Sequence, residues 1–398
     1  MSNIKKLYIC NFLTGLVFWY AIEKLFMQSI GIDAIGISIN AAVYLGITVI
    51  FDVPSGVLAD KWRRKYTLFL AMVCLGLSDL ILGASHHFIT YLIGTTFLSF
   101  FIVLTSGTYQ AMMYDSLVEI GEEKHYDKHQ GRSYGLFLAG IGISSLIGGY
   151  VAQTVGLRQV YFMSIVPAVV NGLLILRLKE PAFHKETFDT KFWTHIKGSA
   201  RIITSQPVVF HLALFLVVSG MLRFTQNEFG SLYYINLGLA AFSMGLANAG
   251  KWLSGAMGQF IAPWVGRERA FKLIPWFFVA SLAFSLITNL ASLVFFFVAS
   301  VLYAVTTNQA EATAQGMIPS SLRATTLSLT SFLTNVVMVP LSLVFGWLTQ
   351  HHSIFRSYQV FSVLGLSYLI VWFATGRSRA LSADKSALEP ANILEMVK

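Results

Sequence analysis

Charge is scarce in this sequence. Only 12% of its 398 residues are Asp, Glu, Lys or Arg, whereas an ordinary soluble domain carries about 25%. With 55% hydrophobic residues, a water-soluble fold would expose far too much apolar surface. Cysteine is scarcer still: Cys10 and Cys74 are the only two, and both lie inside apolar runs. That excludes a disulfide framework and a Cys-x-x-Cys metal site, and both read as small buried apolar residues. No His-Glu-x-x-His, Gly-x-Ser-x-Gly or Walker loop occurs, so neither a nucleophile and base at membrane depth nor ATP as an energy source is supported. The chain reads as a protein that is not an enzyme and holds no cofactor or metal.

Acidic residues are fewer than basic ones, giving a formal net charge of +9. The positions of the basic residues, rather than their number, decide what this means. They cluster in alternate loops: Lys5 and Lys6; Lys61, Arg63, Arg64 and Lys65; Lys124, Lys128 and Arg132; Arg177 through Arg201; Arg267, Arg269 and Lys272; Arg323; and the tail. The intervening loops hold only Arg158 and Arg356. This is a topology signal and not a nucleic-acid footprint, and it places both termini in the cytoplasm, which requires an even number of spans.

What the sequence has in abundance is apolar runs of membrane-spanning length. They predict helices near 5–28, 36–58, 66–85, 89–115, 133–154 and 158–178, then near 208–232, 240–263, 270–288, 292–315, 324–349 and 355–376. The run after Lys6 continues through Phe26 without a small-residue cleavage site and reads as the first span rather than a signal peptide. The expected organisation is an all-α membrane protein of twelve transmembrane helices: a six-helix bundle over 1–180, a cytoplasmic linker over 181–206, a second six-helix bundle over 207–378, and a cytoplasmic tail over 379–398.

The loop Gly56-Val57-Leu58-Ala59-Asp60-Lys61-Trp62-Arg63-Arg64-Lys65 resembles the signature loop of the major facilitator superfamily, with Arg63 in place of the glycine usual before the basic pair. Gly107 to Asp115 ends on the acid the family often carries there. Gly140-Ile-Gly-Ile-Ser-Ser-Leu-Ile-Gly148-Gly149 looks like a degenerate antiporter motif, with Ser144 and Ser145 replacing its Gly-Pro pair. The resemblance implies two six-helix bundles enclosing a central pathway, and a cytoplasmic gate of Gly56, Asp60, Arg64 and Asp115. Family exporters often carry an arginine where Val103 stands, so no proton role is carried over to that position. The resemblance also implies that spans one, four, seven and ten line the cavity.

Ionisable side chains at bilayer depth cost at least about 2.5 to 3.5 kcal/mol, so they face protein or water. Glu23, Lys24, Arg223, Glu228 and Glu311 fall on cavity-lining spans, and Lys251 on a neighbour. In the functional reading, Lys24, Arg223 and Lys251, with Tyr20, Gln226, Asn227 and Asn308, contact a substrate, while Glu23, Glu228, Glu311 or Asp52 carries a proton. The structural reading pairs Glu23 with Arg223 or Lys251, and Lys24 with Glu228, as fixed salt bridges. Asp52 divides equally between gate and coupling roles. Asp79, on a peripheral span, reads as a hydrogen-bonded or partly wet carboxylate, and His211 as an ordinary interfacial histidine.

The expected function is proton-coupled efflux of a small amphipathic or anionic organic compound by alternating access. Uptake of an anionic nutrient and a non-transporting sensor on the same fold are the alternatives. Expected partners are the substrate, protons and the lipid bilayer, with no nucleic acid, and the expected state is a monomer in the cell inner (cytoplasmic) membrane.

Overall fold

A computed structural model describes residues 2–61, 63–181, 201, 203–317 and 320–376 of the chain. The side chains of 52–61, 124, 127, 128, 315, 316, 320–328, 331, 375 and 376 lie outside that description. Among the described residues all regular structure is helical, as expected where lipid offers the backbone no hydrogen bonds. The helices are α1 (Asn3–Thr14), α2 (Glu23–Ser29), α3 (Ala34–Lys61), α4 (Arg64–Ala84), α5 (Phe88–Thr105), α6 (Thr108–Val118), α7 (Tyr126–Thr154) and α8 (Leu157–Leu176). They continue with α9 (Pro207–Glu228), α10 (Gly230–Asn236), α11 (Ala241–Val265), α12 (Arg267–Leu286), α13 (Ser292–Met317), α14 (Ser320–His351) and α15 (Ile354–Val371). Ten of the helical stretches are long and apolar enough to cross a membrane. The outward side chains agree with that setting: Phe260 is 76% and Trp264 81% exposed on α11, a surface that lipid tolerates and water does not.

Three expected spans are interrupted. The first, read as one helix over 5–28, is two helices joined by an unwound stretch over 15–22. The fourth breaks at Gly107, whose φ of 69° is left-handed and suits a residue without a side chain. The seventh is interrupted at Phe229, which separates α9 from α10. The long polar segment expected as a linker and the tail lie mostly outside the described residues.

Two compact units are present. The first comprises Met1–Lys185, Phe229–Leu253 and Val339–His351, so it holds α1 to α8, α10, the start of α11 and the end of α14. Here α4 packs along both α5 and α8, and α1 along α7 and α8. Leu7, Cys10, Leu68, Met72, Met112, Met113 and Ile175 form a dry core between them. The unwound stretch rests on glycines of α7: a methyl at Gly15 would lie 3.1 Å from the Gly140 Cα, and one at Gly148 would collide with the Phe18 carbonyl. Small residues permit this close backbone approach, which supplies packing energy where lipid gives no hydrophobic driving force.

The second unit comprises Glu186–Glu228, Ser254–Met338 and His352–Lys398. In it α12 packs on α13 and α15, and α9 on the same two helices. Phe215, Phe278, Tyr368 and Trp372 meet with ring centroids 5.8 to 6.4 Å apart, and the Tyr368 hydroxyl donates to the His211 carbonyl at 3.2 Å.

Candidate functional site

The unwound stretch of the first unit exposes backbone groups that helix would have satisfied, and distant side chains replace the missing partners. Phe18 N donates to Ser164 Oγ at 3.0 Å, and Ser144 Oγ donates to the Gly15 carbonyl at 3.2 Å. Irregular backbone at membrane depth survives only when it is covered in this way. Two of its three aromatic residues, Trp19 and Tyr20, have ring centroids 6.4 Å apart and differ in their other neighbours. Trp19 stacks on Tyr161 with centroids 5.2 Å apart, and its Nε1 donates to Asp79 Oδ1 at 2.7 Å. Tyr20 lies against Trp252, at 6.0 Å, and against Lys251, whose ammonium sits 5.6 Å from the Tyr20 ring centroid and 4.9 Å from that of Trp252. Lys251 is fully buried, and two ring faces lower the cost of holding its charge there.

Just after the unwound stretch, Lys24 Nζ and Glu23 Oε2 form an ion pair at 2.8 Å with Lys24 1% exposed. Glu23 also accepts from the Tyr91 hydroxyl at 3.2 Å, and that hydroxyl lies 3.4 Å from the Tyr161 hydroxyl. Glu23 and Lys24 thus pair with each other as sequence neighbours, a contact that neither reading of the sequence included.

In the second unit the Arg223 guanidinium lies 5.5 Å from the Tyr303 ring centroid, and its Nη1 donates to Ser300 Oγ at 3.3 Å. Tyr303 also lines a cavity of about 200 Å³ with Leu216, Gly220, Glu311, Thr330, Thr334 and Asn335. The cavity therefore has an acid, a phenol, two hydroxyls and an amide among its walls. Gln226 is buried, and the Asn227 Oδ1 is enclosed without a hydrogen-bond partner among the described residues. Asn308 donates to Gln259 Oε1 at 3.0 Å, and Gln309 to the Ala262 carbonyl at 2.8 Å. Glu228 closes α9.

Of the expected gate residues, Arg64 and Asp115 form an ion pair between α4 and α6. The side chains of Asp52, Gly56 and Asp60 lie outside the described residues. Glu180, at the end of the expected first bundle and given no role there, is a further member of this end: its carboxylate accepts from the backbone N–H of Arg64 at 2.8 Å and of Lys65 at 3.1 Å, satisfying the first turn of α4. An acid just past the sixth span was the available signal. The cavity walls Tyr303, Thr330, Thr334 and Asn335 left no comparable trace, because neutral polar residues are common in apolar spans, and Asp79, expected as a hydrogen-bonded or partly wet carboxylate, gave no sign that Trp19 is its partner.

A family model described as Major Facilitator Superfamily matches residues 7–340. The chain belongs to the Major Facilitator Superfamily. It is thus an all-α membrane protein with the family's twelve transmembrane helices in two six-helix bundles. It is 22% identical over 250 residues to the multi-drug resistance efflux pump PmrA of Streptococcus pneumoniae, covering 60% of this chain and 59% of that protein. It is 21% identical over 198 residues to an uncharacterized MFS-type transporter of Methanocaldococcus jannaschii, covering 48% of this chain and 50% of that protein. The chain spans between half and three fifths of the length of these curated relatives. Among solved structures it is similar to the nucleoside transporter NupG, with a TM-score of 0.76 and 14% identity over 94% of this chain and 99% of that one. A D-xylose-proton symporter gives a TM-score of 0.73 and 13% identity over 94% of this chain and 98% of that one. At such identities the structural likeness speaks for this superfamily's fold alone.

Proposed function

We propose that this superfamily member is a proton-coupled secondary transporter that exports a small amphipathic or anionic organic compound by alternating access. The observation that carries the reading is the second unit's cavity, where Glu311 shares a wall with Tyr303 and Arg223 covers the Tyr303 ring. A cation and an acid at bilayer depth on one short polar path are expensive to keep unless both are used. Arg223 cannot release its proton, since a guanidinium stays charged, so it attracts the anionic group and Glu311 exchanges the proton. Gln226, Asn227 and Asn308 act with Arg223 as substrate contacts. In the first unit Lys24, Tyr20 and Lys251 serve the same purpose, and Glu23 carries a proton beside Lys24; Glu228 and Asp52 are the further proton carriers.

Export is favoured over uptake by the likeness to PmrA and by the glycine pattern of α7. Arg64 and Asp115, with Asp60 and Gly56, form the cytoplasmic gate that this cycle opens and closes. Both termini face the cytoplasm by the distribution of basic residues, and the transporter works as a monomer in the cytoplasmic membrane.

The test is flux in proteoliposomes holding the full-length chain, with radiolabelled benzoate as the anionic probe and tetraphenylphosphonium as the lipophilic one. An inside-acid gradient is expected to drive accumulation of benzoate in exchange for protons. Accumulation under an outside-acid gradient instead would replace export with symport, and no flux of either probe under either gradient would overturn proton coupling for this class of compound.

A further inference from the structure

Asp79 of α4 has no role in the reading above, yet its setting is the most demanding in the first unit. The side chain is fully buried. Oδ1 accepts from Trp19 Nε1 at 2.7 Å, whereas Oδ2 is equally enclosed and has no hydrogen-bond partner among the described residues. The surrounding elements bring few charges, and the contacts those charges make lie elsewhere. From α8, Arg158 donates to the Gly83 carbonyl at 2.8 Å and lies 3.0 Å from His86 Nδ1, which follows α4. From α5, the Tyr91 hydroxyl donates to Glu23 and lies beside that of Tyr161 on α8. From α2, Lys24 pairs with Glu23. The described part of α3 offers Asn40 and Tyr44 but no charge, and on α6 Asp115 is held by Arg64 at the start of α4.

Among the described residues an ionised carboxylate here would have one neutral donor and no cation, the arrangement that buried charges avoid. A neutral carboxylic acid meets the same geometry without penalty of that size: the carbonyl oxygen takes the indole N–H, and the second oxygen keeps its hydrogen. We infer that Asp79 is a proton-binding site of this transporter, occupied in the conformation seen here and tied through Trp19 to the unwound part of the first span.

The tie matters because of the residue next to Trp19. The Tyr20 ring lies 6.4 Å from that of Trp19 and also meets Trp252 and Lys251, so two consecutive residues on a segment outside regular helix join Asp79 to a buried cation. Withdrawal of Trp19 would admit water to Oδ2. The acid O–H bond then breaks, the proton passes to that water, and the carboxylate left behind is stabilised by hydration. The same movement shifts Tyr20 against Lys251. This rests on the proton-coupled reading above, and it adds to that reading where the proton is held and which segment senses it.

Infrared spectroscopy of the full-length chain in lipid nanodiscs at neutral pH tests the site without any substrate. The carbonyl stretch of a buried protonated carboxylic acid is expected in the wild type, retained in Glu23→Gln, shifted in Trp19→Phe, and lost in Asp79→Asn. Because Asn mimics the neutral acid, Asp79→Asn is also expected to fold with the melting temperature of the wild type. A band unchanged by Asp79→Asn, or one that Asp79→Asn and Glu23→Gln remove alike, overturns the site, as does severe destabilisation by Asp79→Asn. The flux assay separates this outcome from the fate of coupling. A wild type without gradient-driven flux but with the Asp79-dependent band removes proton coupling and keeps the site. A wild type with such flux, unchanged in Asp79→Asn, overturns the coupling role of Asp79.

Discussion

The two compact units hold their membrane-depth charges in different ways. In the first, Lys24 and Glu23 close on each other, Lys251 is covered by the rings of Tyr20 and Trp252, and Asp79 is sealed behind Trp19. In the second, Glu311 lines a cavity, and Arg223 lies over the ring of Tyr303 in that cavity's wall. The contrast separates two ways of meeting the same desolvation cost. A charge that is enclosed must be paired or neutralised, so its removal damages folding. A charge that borders water has already met much of that cost, so its removal damages function first.

The largest expected effect breaks the enclosed side of the comparison. Lys24→Ala removes the buried cation of the Lys24–Glu23 pair, and breaking a buried pair costs about 3 to 5 kcal/mol. Thermal unfolding in detergent is expected to show a large loss for this variant and little change for Glu311→Gln. Equal losses would mean that the two units do not differ in the way described.

Next in size is the functional side. Glu311→Gln is expected to reduce benzoate accumulation under an inside-acid gradient to background while substrate exchange at equal pH stays within about a factor of 2, the range of changes near ±0.5 kcal/mol. Retained gradient-driven accumulation would remove Glu311 from coupling. A smaller effect is expected on affinity: Arg223→Ala should weaken benzoate binding about tenfold, or about 1.4 kcal/mol, and Tyr20→Phe, which keeps the ring over Lys251, should change it much less. Equal affinities in a binding assay would end the argument for an anionic ligand.

The smallest expected effect concerns the ion pair of α4 and α6. Arg64 and Asp115 are 12% and 27% exposed, so solvent screens them and Asp115→Asn should cost about 1 kcal/mol or less in melting. A clear loss of transport at that small cost in stability would mark the pair as part of the gate. Parallel loss of folded protein and activity would mark it as structural.

Much of the fold was legible because apolar runs of membrane length and alternating basic loops are local quantities, summed over neighbouring residues. The interruption of the first span was not, since Gly15 to Ile22 is as apolar as its flanks. What holds it open are Ser164, Ser144 and the glycines of α7, more than a hundred positions away along the chain. The candidate charges were legible by the same rule that makes them rare, while their partners were not. One reading joined Glu23 and Lys24 to partners on other spans, and the contact between the two neighbours themselves was in neither reading.

By itself, then, the sequence determined that this chain is helical, threads a bilayer and belongs to its superfamily, because lipid tolerates only backbone that satisfies itself and because the signature loop is contiguous. Only the tertiary structure decided that Trp19 reaches Asp79, 60 positions away, while Tyr20 turns to Lys251. Side-chain direction in an unwound segment follows from what packs around it, and no local pattern of hydrophobicity carries that information.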